Sequence, residues 1–427
     1  MSENAEVKSG LRCHICTGCG LCPGITPKGS GSGRLHILTA GADLQGEGMR
    51  GKLVAIDIGT TTVAMLLYDR EGQVADRYVA VNPQTAYGAD VLSRIRAAEK
   101  QGADGKRDAA EKMQAMVRRE LETGLARFAK KVEPGEKLLA VIAANTTMSY
   151  LFLGRNPKEL GRAPFTATHL GAVQNELAGV PCLLLPGMSA FVGGDITAGV
   201  YGAGMAEREE ITLLIDLGTN GELVLGNRHR RIACATAAGP AFEGGVNKGI
   251  WGADMVSLLA TLKRRGILDV TGLLAEPYFE TGIRIGNVCV TKEAVRAVQL
   301  AKAAVAAGIE ILLDRYGITA SQVDRVILAG GFGYYLHPED AAEIGLLPKE
   351  LAKKAVSGGN MALAGSRRAG RELLEEMSSE CGYGADETGF RAQVIKQLEK
   401  LASATEVLNL AECPEFEISY IEKLNLE

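Results

Sequence analysis

Two stretches of this 427-residue chain resemble each other closely enough to constrain its fold. One reads KLVAIDIGTTTVAMLLYDREGQV from Lys52, and the other reads ITLLIDLGTNGELVLGNRHRRI from Ile211. Each is an apolar strand that ends in Asp, continues with Gly-Thr and enters a second strand-like run. Because Asp57 and Asp216 stand 159 residues apart, the repeat predicts a duplicated domain whose two similar halves face each other.

Both hairpins carry residue types that hold a phosphate and its metal ion. Gly59 lets the backbone approach a ligand closely, and the N–H and hydroxyl groups that follow it point at an anion. Asp57 can hold Mg²⁺, usually through its waters. The second copy, from Asp216 to Asn220, offers the same device from the opposite side. A single Asp-x-Gly-Thr sequence also occurs in ordinary strand turns, but two copies in one chain favour a clamp around a polyphosphate.

A third motif, ILAGGFG, follows the two hairpins along the chain. A buried strand stops there at the pair Gly330 and Gly331, and such a pair allows flat, close contact with a base or a ribose. Alone this sequence is a common turn. After two phosphate hairpins, it predicts the completion of a nucleotide site.

The order of these motifs resembles the superfamily of actin, sugar and acetate kinases and the 70-kDa heat-shock chaperones. Its phosphate-1, phosphate-2 and adenosine motifs follow one another in this way, and GGDITAGVYGAG and GNMALAGSRRAG stand where its two connecting helices are placed. Longer blocks narrow the resemblance to the ATP-dependent reductive activators of corrinoid proteins, over roughly residues 50 to 427. These blocks are NPQTAYGADVLSRI at 82–95, NTTMSYLFLGRNPKELGRAPF at 145–165, SAFVGGDITAG at 189–199 and ATAAGPAFEGG at 235–245.

The resemblance implies an α/β fold, a duplicated actin-like ATPase of two subdomains preceded by a short Cys-rich iron–sulfur segment. We expect the cluster segment at 1–24 and a flexible, Gly/Ser-containing linker at 25–50. Subdomain I, with phosphate-1, is expected at 51–205. Subdomain II, with phosphate-2 and the adenosine motif, is expected at 206–427, with C-terminal helices that return to subdomain I.

The resemblance also implies candidate site residues. Asp195 and Glu243 are candidates for ordering water or metal, and each could instead be a structural carboxylate that caps a helix. The expected catalytic carboxylates are Asp57, Asp195, Asp216 and Glu243. The expected nucleotide-binding residues are Asp57, Gly59, Thr60, Thr61, Thr62, Asp216, Gly218, Thr219, Asn220, Gly239, Gly330, Gly331 and Phe332.

In that family the activator returns a corrinoid protein from inactive Co(II) to Co(I), with one electron from an iron–sulfur cluster and help from ATP. The resemblance therefore implies ATP with Mg²⁺ and an iron–sulfur cluster as cofactors. The implied partners are a corrinoid protein of a methyltransferase system and a low-potential electron donor such as ferredoxin or flavodoxin. A homodimer is left open.

The stretch LRCHICTGCGLCPG brings four cysteines together, at Cys13, Cys16, Cys19 and Cys22. A zinc ribbon usually separates its two Cys pairs by about 15–20 residues. Only two residues separate the pairs here, which disfavours a zinc site. The C-x2-C-x2-C core and the proline after the last cysteine are typical of bacterial ferredoxins, which favours a [4Fe–4S] cluster. The ferredoxin run places three residues before its last cysteine, whereas here there are two. Cys22 therefore either closes this cluster or binds elsewhere.

Composition and charge bear on the remaining function classes. A formal net charge of −4 provides no broad basic field, so a nucleic-acid partner is not expected. The N-terminus has no apolar leader and no apolar run is long enough to span a bilayer, so we expect a cytoplasmic protein with no membrane partner. Three alternatives stay open: an activator of a 2-hydroxyacyl-CoA dehydratase, a small-molecule kinase with a zinc clip, and a non-enzymatic nucleotide-gated binding module.

Overall fold

The computed structural model describes residues 48–99, 108–218, 220–238, 252–285, 288–378 and 392–427. The predicted cysteine segment at 1–24 and most of the predicted linker lie outside these ranges. The site candidates Thr219, Gly239 and Glu243 also lie outside them. The described ranges confirm the predicted α/β fold.

The strands run through both halves of the chain. They are β1 (Lys52–Ile58), β2 (Thr62–Tyr68), β3 (Val74–Val81), β4 (Leu138–Ala144), β5 (Val173–Leu177), β6 (Val180–Leu184), β7 (Thr212–Leu217), β8 (Gly221–Gly226), β9 (Arg231–Thr236), β10 (Ile283–Ile285), β11 (Val288–Val290), β12 (Arg325–Ala329), β13 (Ala355–Gly359) and β14 (Thr405–Leu408).

The α-helices lie between and after these strands. They are α1 (Val91–Glu99), α2 (Asp108–Ala129), α3 (Thr146–Phe152), α4 (Gly194–Gly202), α5 (Gly252–Arg264), α6 (Tyr278–Thr281), α7 (Lys292–Tyr316), α8 (Gly330–Gly333), α9 (Pro338–Glu343), α10 (Lys349–Ala352), α11 (Met361–Glu376), α12 (Ala392–Ser403) and α13 (Pro414–Glu422).

Two six-stranded sheets repeat one plan, which is the duplication that the sequence repeat predicts. The first has the order β3-β2-β1-β4-β6-β5 and the second the order β13-β12-β7-β8-β9-β14. In the first, β1, β2 and β3 form an antiparallel meander, and β4 adds to β1 in parallel. In the second, β7, β8 and β9 form the same meander, and β12 adds to β7 in parallel. The central strands β1, β4 and β7 are buried on both faces, which explains their near-continuous apolar sequences.

Helices α4 and α11 occupy the positions that the sequence predicts for the two connecting helices. Their backbones approach so closely that a Cβ atom on Gly365 would lie 1.9 Å from the carbonyl oxygen of Ala198. One hydrophobic cluster joins both helices to the inner faces of both sheets, through residues such as Leu53, Leu214 and Leu363. The crossing of α4 and α11 therefore ties the two halves together.

The outer faces of the sheets are covered by long helices. Helix α2 packs on the first sheet, with Val117 in the same hydrophobic cluster as Val54. Helix α7 covers the second sheet through residues such as Val305. The Thr291 side chain caps the start of α7 by accepting from the N–H of Ala294, and the helix ends at Gly317 in a left-handed conformation. No helix in the described part of the chain combines the length and apolar character that crossing a lipid bilayer requires.

Candidate nucleotide site

The first hairpin, between β1 and β2, is held by polar side chains from other elements. Asp57 stands at the end of β1, and the N–H of Gly59 closes the turn on the carbonyl oxygen of Thr62, at 2.9 Å. The Asn82 amide Nδ2 donates to the carbonyl oxygen of Gly59 at 2.8 Å. The Asn145 amide Nδ2 donates to the Thr60 Oγ1 at 3.0 Å. Hydrogen bonds from the protein itself therefore hold the loop in its conformation.

A fully buried arginine lies behind the same loop. The Arg94 guanidinium donates to the carbonyl oxygen of Thr60 and, at 3.0 Å, to that of Gly88. It also contacts the Met148 Sδ at 3.2 Å. Arg94 belongs to α1, so the block that begins at Asn82 packs directly against the first hairpin.

Asn360 connects the first hairpin to the second connecting helix. Its Nδ2 donates to the Asp57 Oδ2 at 2.8 Å, while its Oδ1 accepts from the N–H of Leu363 at 2.9 Å and caps α11. A single side chain thus links the Asp57 carboxyl group to the start of α11.

The second hairpin, between β7 and β8, places two carboxyl groups side by side. Asp216 on β7 pairs in register with Glu222 on β8. The N–H of Gly218 donates to the carbonyl oxygen of Asn220 at 2.9 Å, and the Thr236 Oγ1 donates to that of Gly221 at 3.0 Å. In the first hairpin the partner of Asp57 in the same register is Ala64, so the extra carboxyl group belongs to the second hairpin alone.

The glycine pair after β12 lies against the second hairpin. Gly330 has a φ angle of 80°, and a Cβ atom there would lie 2.5 Å from both the Asp216 Oδ1 and the carbonyl oxygen of Leu217. Only glycine fits this contact. Phe332 is buried in the hydrophobic cluster of the second half, so its ring contributes to packing.

Asp195 lies at the start of the first connecting helix and close to both hairpins. It lies in the first turn of α4, where its Oδ1 accepts from the N–H of Ile196 at 2.9 Å. It also lies close enough to Asp57 and Asp216 for their charges to affect one another. The start of the first connecting helix is therefore part of the same acidic cluster.

Four carboxyl groups of the site, those of Asp57, Asp195, Asp216 and Glu222, have raised pKa values. Each side chain remains partly exposed, yet enough protein surrounds it that lost hydration is the largest cause of every shift. Burial raises the pKa of Asp57 to about 6, although the hydrogen bond from Asn360 lowers it in part. Burial and the charges of Asp195 and Asp57 raise the pKa of Asp216 to about 8. The pKa values of Asp195 and Glu222 are raised by burial and by the neighbouring carboxylates.

This donor set fits a magnesium nucleotide. Among the residues that shift the pKa values of Asp57, Asp195 and Asp216, the described structure supplies carboxylates, amides and backbone groups but no cation. Nor do three His, Cys, Asp or Glu side chains in the described ranges converge as a complete metal site. Mg²⁺ usually takes one or two carboxylates and completes its octahedron with water and phosphate oxygens. Such an ion would neutralise the cluster while the two hairpins hold the phosphates.

Several residues of the site escaped the sequence analysis as individual candidates. Asn82, Arg94 and Asn145 lie in blocks that carry the family resemblance, but their roles follow from contacts between segments distant in sequence. Glu222 stands three residues after the second Asp-x-Gly-Thr motif, and the absence of a carboxyl group at this position of the first copy is the signal that could have identified it. Asn360 stands just before the apolar run of α11, where an N-cap is expected.

The duplicated sheets, the paired Asp-Gly hairpins and the crossed connecting helices define an actin-like ATPase fold. Within that class the chain belongs to the RACo family. The family description "RACo middle region" matches residues 53–208, and the description "C-terminal domain of RACo the ASKHA domain" matches residues 210–249 and 246–427.

Named relatives agree with this assignment. The chain is 30% identical over 407 residues to the corrinoid activation enzyme RamQ of Eubacterium limosum, an alignment that covers 78% of this chain and 68% of the relative. It is 25% identical over 390 residues to the [Co(II) methylated amine-specific corrinoid protein] reductase of Methanosarcina barkeri, covering 76% and 70%. A solved structure described as a reductive activator for corrinoid,iron-sulfur protein is 31% identical, with a TM-score of 0.72, and the match covers 89% of this chain and 67% of that one.

Proposed function

We propose that this chain is an ATP-dependent reductive activator of a corrinoid protein, which returns inactive Co(II) to Co(I) by a single-electron reduction. Membership of the RACo family and similarity to two named corrinoid activators support the reaction class. The observation that carries the ATP-dependent part is the pair of facing hairpins with the carboxyl groups of Asp57, Asp195 and Asp216 between them.

The residues of the cleft would divide the work of binding Mg·ATP. The backbone N–H groups of the first hairpin and the loop from Gly218 to Asn220 would hold the phosphates. Asp57, Asp195 and Asp216 would hold Mg²⁺ and its waters. The bound ion would neutralise negative charge during phosphoryl transfer to water. Gly330 and Gly331 would leave room for the adenosine.

Both connecting helices begin at this cleft, so nucleotide binding there could change the positions of the helices that join the two halves. Asp195 lies in the first turn of α4, and Asn360 caps α11 and contacts Asp57. Because the two helices cross with their backbones in contact at Gly365, a change at the phosphates would alter how the two halves meet. Closure and opening of the halves would then control the complex with the corrinoid protein.

The energetic role of ATP follows from linkage. A one-electron potential moves by about 59 mV for each 1.4 kcal/mol of differential stabilisation. Moving the cobalt potential by roughly 0.2 V would therefore take on the order of 5 kcal/mol, which a partner can supply by binding one cobalt coordination state more tightly than another. A nucleotide that strengthens or weakens that complex would make the reduction ATP-dependent.

The proposed electron route uses the cysteine segment. An iron–sulfur cluster held by Cys13, Cys16 and Cys19, with Cys22 as the fourth candidate ligand, would supply single electrons. A low-potential ferredoxin or flavodoxin would reload it. Residues 25–50 would tether this segment to the ATPase. We also propose that the protein is cytoplasmic, as a monomer or a homodimer.

A reconstitution experiment tests this proposal. The full chain is loaded with iron and sulfide under anaerobic conditions, and its visible and EPR spectra are recorded. Cob(II)alamin on a candidate corrinoid protein is then followed by absorbance after addition of a low-potential reductant, with and without Mg·ATP. We expect a cluster signal and cob(I)alamin formation that requires Mg·ATP.

Cysteine variants provide the control. Cys16→Ser is expected to lose the cluster signal, whereas Cys413→Ser, which changes a free cysteine outside the run, is expected to keep it. Cob(I)alamin formation to the same extent without ATP, or without the cluster, would contradict the proposal.

A further inference from the structure

Arg94 is a buried cation with an unusual set of partners. Its side chain is 0% exposed, and its hydrogen bonds reach two backbone carbonyl groups and one thioether. Asp90 attracts it electrostatically, but within the described ranges no carboxylate oxygen forms an ion pair with it. Burial lowers the pKa of Arg94 to about 10, so the guanidinium stays charged at neutral pH. A charge kept in such a place is expensive unless something compensates it.

The partners of Arg94 and Asn82 fix the direction of the peptide groups in the first hairpin. Asn82 Nδ2 holds the carbonyl oxygen of Gly59, and Arg94 holds that of Thr60. In a trans peptide unit the N–H points away from the carbonyl oxygen. The N–H groups of Thr60 and Thr61 therefore point away from Asn82 and Arg94.

These two N–H groups have no acceptor in the described part of the chain. Neither Thr60 nor Thr61 donates through its backbone in any hydrogen bond there, although buried N–H groups are normally paired. Thr60 is only 6% exposed. Successive free N–H groups on a tight loop are a common way to bind an anion.

We infer that Arg94 is a positioning residue for the polyphosphate of the nucleotide. By holding the Thr60 carbonyl oxygen it turns the N–H of Thr61 toward the phosphates, and its own positive charge lies on the other side of the same peptide unit. The negative phosphates then add to the weak compensation from Asp90, which forms no ion pair with Arg94. This role rests on the proposed function, because it requires that a nucleotide binds at the first hairpin.

A second buried arginine provides a matched control. Arg231 is 6% exposed, and it donates to the carbonyl oxygens of Asn227, at 2.8 Å, and Arg228, at 3.3 Å. It lies at the start of β9, where it pairs with Gly226, at the opposite end of β8 from the loop of the second hairpin. Replacing Arg231 therefore removes similar buried hydrogen bonds far from the proposed phosphates.

The experiment compares nucleotide affinities of the full-length wild-type protein with Arg94→Met, Arg94→Lys, Arg231→Met and Arg231→Lys. Titration calorimetry measures binding of Mg·ATP and of adenosine, which lacks phosphates. We expect Arg94→Met to weaken Mg·ATP binding about 10- to 100-fold, as for loss of a charged hydrogen bond. Adenosine binding should change by less than about twofold, and Arg94→Lys should restore part of the ATP affinity. Both Arg231 variants should keep the wild-type ratio of ATP to adenosine affinity.

The ratio of the two affinities decides the outcome, since a general loss of structure would weaken both ligands together. A folded Arg94→Met protein with the wild-type ratio would overturn the assignment of Arg94. If Arg94→Met does not fold, Arg94→Lys decides it in the same way. Wild-type protein that binds neither ligand would instead overturn the proposed function, and the role of Arg94 with it.

Discussion

The two hairpins share a backbone plan but differ in what surrounds them. The first is surrounded by donors: Asn82, Arg94 and Asn145 hold its loop, and Asn360 holds its carboxyl group. The second is rich in carboxyl groups, since Asp216 stands opposite Glu222.

This difference shows how one duplicated element acquires two tasks. The carbonyl groups of the first hairpin are turned into the protein, so its conformation is set before any ligand arrives. The second hairpin has a surplus of carboxyl groups whose pKa values are raised, so it gains most from a cation. A magnesium polyphosphate would satisfy both, because its phosphates would meet the first hairpin and its metal ion would neutralise the carboxyl groups of the second.

The largest effect is expected on the rate of ATP hydrolysis when the aspartate carboxyl group of either hairpin is removed. Asp57→Asn and Asp216→Asn should each lower the rate of Mg-dependent ATP hydrolysis by about 10³-fold, because each removes a group expected to orient the metal ion. A phosphate-release assay measures the rate, with Asp314→Asn, an exposed change near the end of α7, as the control. Full activity in either hairpin variant would show that one hairpin suffices.

The close approach of Gly330 to the second hairpin gives the next largest effect. In Gly330→Ala the new Cβ atom would lie 2.5 Å from the Asp216 Oδ1 at a φ angle of 80°, so we expect a loss of about 3 kcal/mol in the free energy of unfolding. In Gly218→Ala no atom lies within 4 Å of the new Cβ, and the stability should stay close to wild type. Urea unfolding measures both, and equal midpoints for the two variants would contradict the observed contact.

The pH dependence of stability should separate the two hairpins. Because the folded-state pKa values of Asp57 and Asp216 are raised from 3.8 to about 6 and about 8, these two groups should lower the stability of the nucleotide-free protein as the pH rises from about 4 to those values. Asp216→Asn should raise the free energy of unfolding by about 2 kcal/mol at pH 8 and leave it nearly unchanged at pH 4. Asp57→Asn should gain less, since the pKa of Asp57 is raised less and the Asn360 hydrogen bond is disturbed.

Urea unfolding at pH 4, 6 and 8 without nucleotide measures these differences. Stability that increases between pH 5 and pH 8, or Asp216→Asn that is less stable than wild type at pH 8, would contradict the described electrostatics. Addition of Mg·ATP at pH 8 should reduce the advantage of Asp216→Asn, because the cation takes over the role of the lost proton.

The sequence predicted the parts of the fold that repeat or follow the order of the motifs. The duplication follows from the two Asp-x-Gly-Thr segments, and the two connecting helices follow from their positions relative to the nucleotide motifs. The RACo family match confirms the predicted resemblance to the corrinoid activators. These features are local or repeated, so they can be recognised without knowing which segments touch.

The supporting residues of the cleft could not be predicted in the same way. The contact of Asn360 with Asp57 joins residues 303 positions apart. The contact of Arg94 with Thr60 depends on how α1 packs against the loop of the first hairpin. A single buried hydrogen-bond donor forms no repeating pattern in the sequence, so it cannot be recognised there. Glu222 is different, because aligning the two sequence copies places Val63 at its position and marks the carboxyl group as an addition in the second copy.

The smallest expected effect concerns Asn360, which links the Asp57 carboxyl group to the start of α11. Asn360 both caps the helix and donates to Asp57, and two substitutions separate these tasks. Asn360→Ala loses both, so we expect about 1 kcal/mol lower stability, together with a pKa of Asp57 above the wild-type value of about 6. Asn360→Ser keeps a good N-cap but its hydroxyl group is too short to replace the amide at Asp57.

Asn360→Ser should therefore unfold like the wild type in urea while binding Mg·ATP about three- to tenfold more weakly in calorimetry. Because Asn360 is the contact between the Asp57 carboxyl group and the start of α11, this variant tests whether the first hairpin is set in advance by its donors. Wild-type affinity in Asn360→Ser would mean that the hairpin adopts its conformation without this donor. The contrast between a pre-organised first hairpin and a charge-rich second one would then depend on Asn82, Arg94 and Asn145 alone.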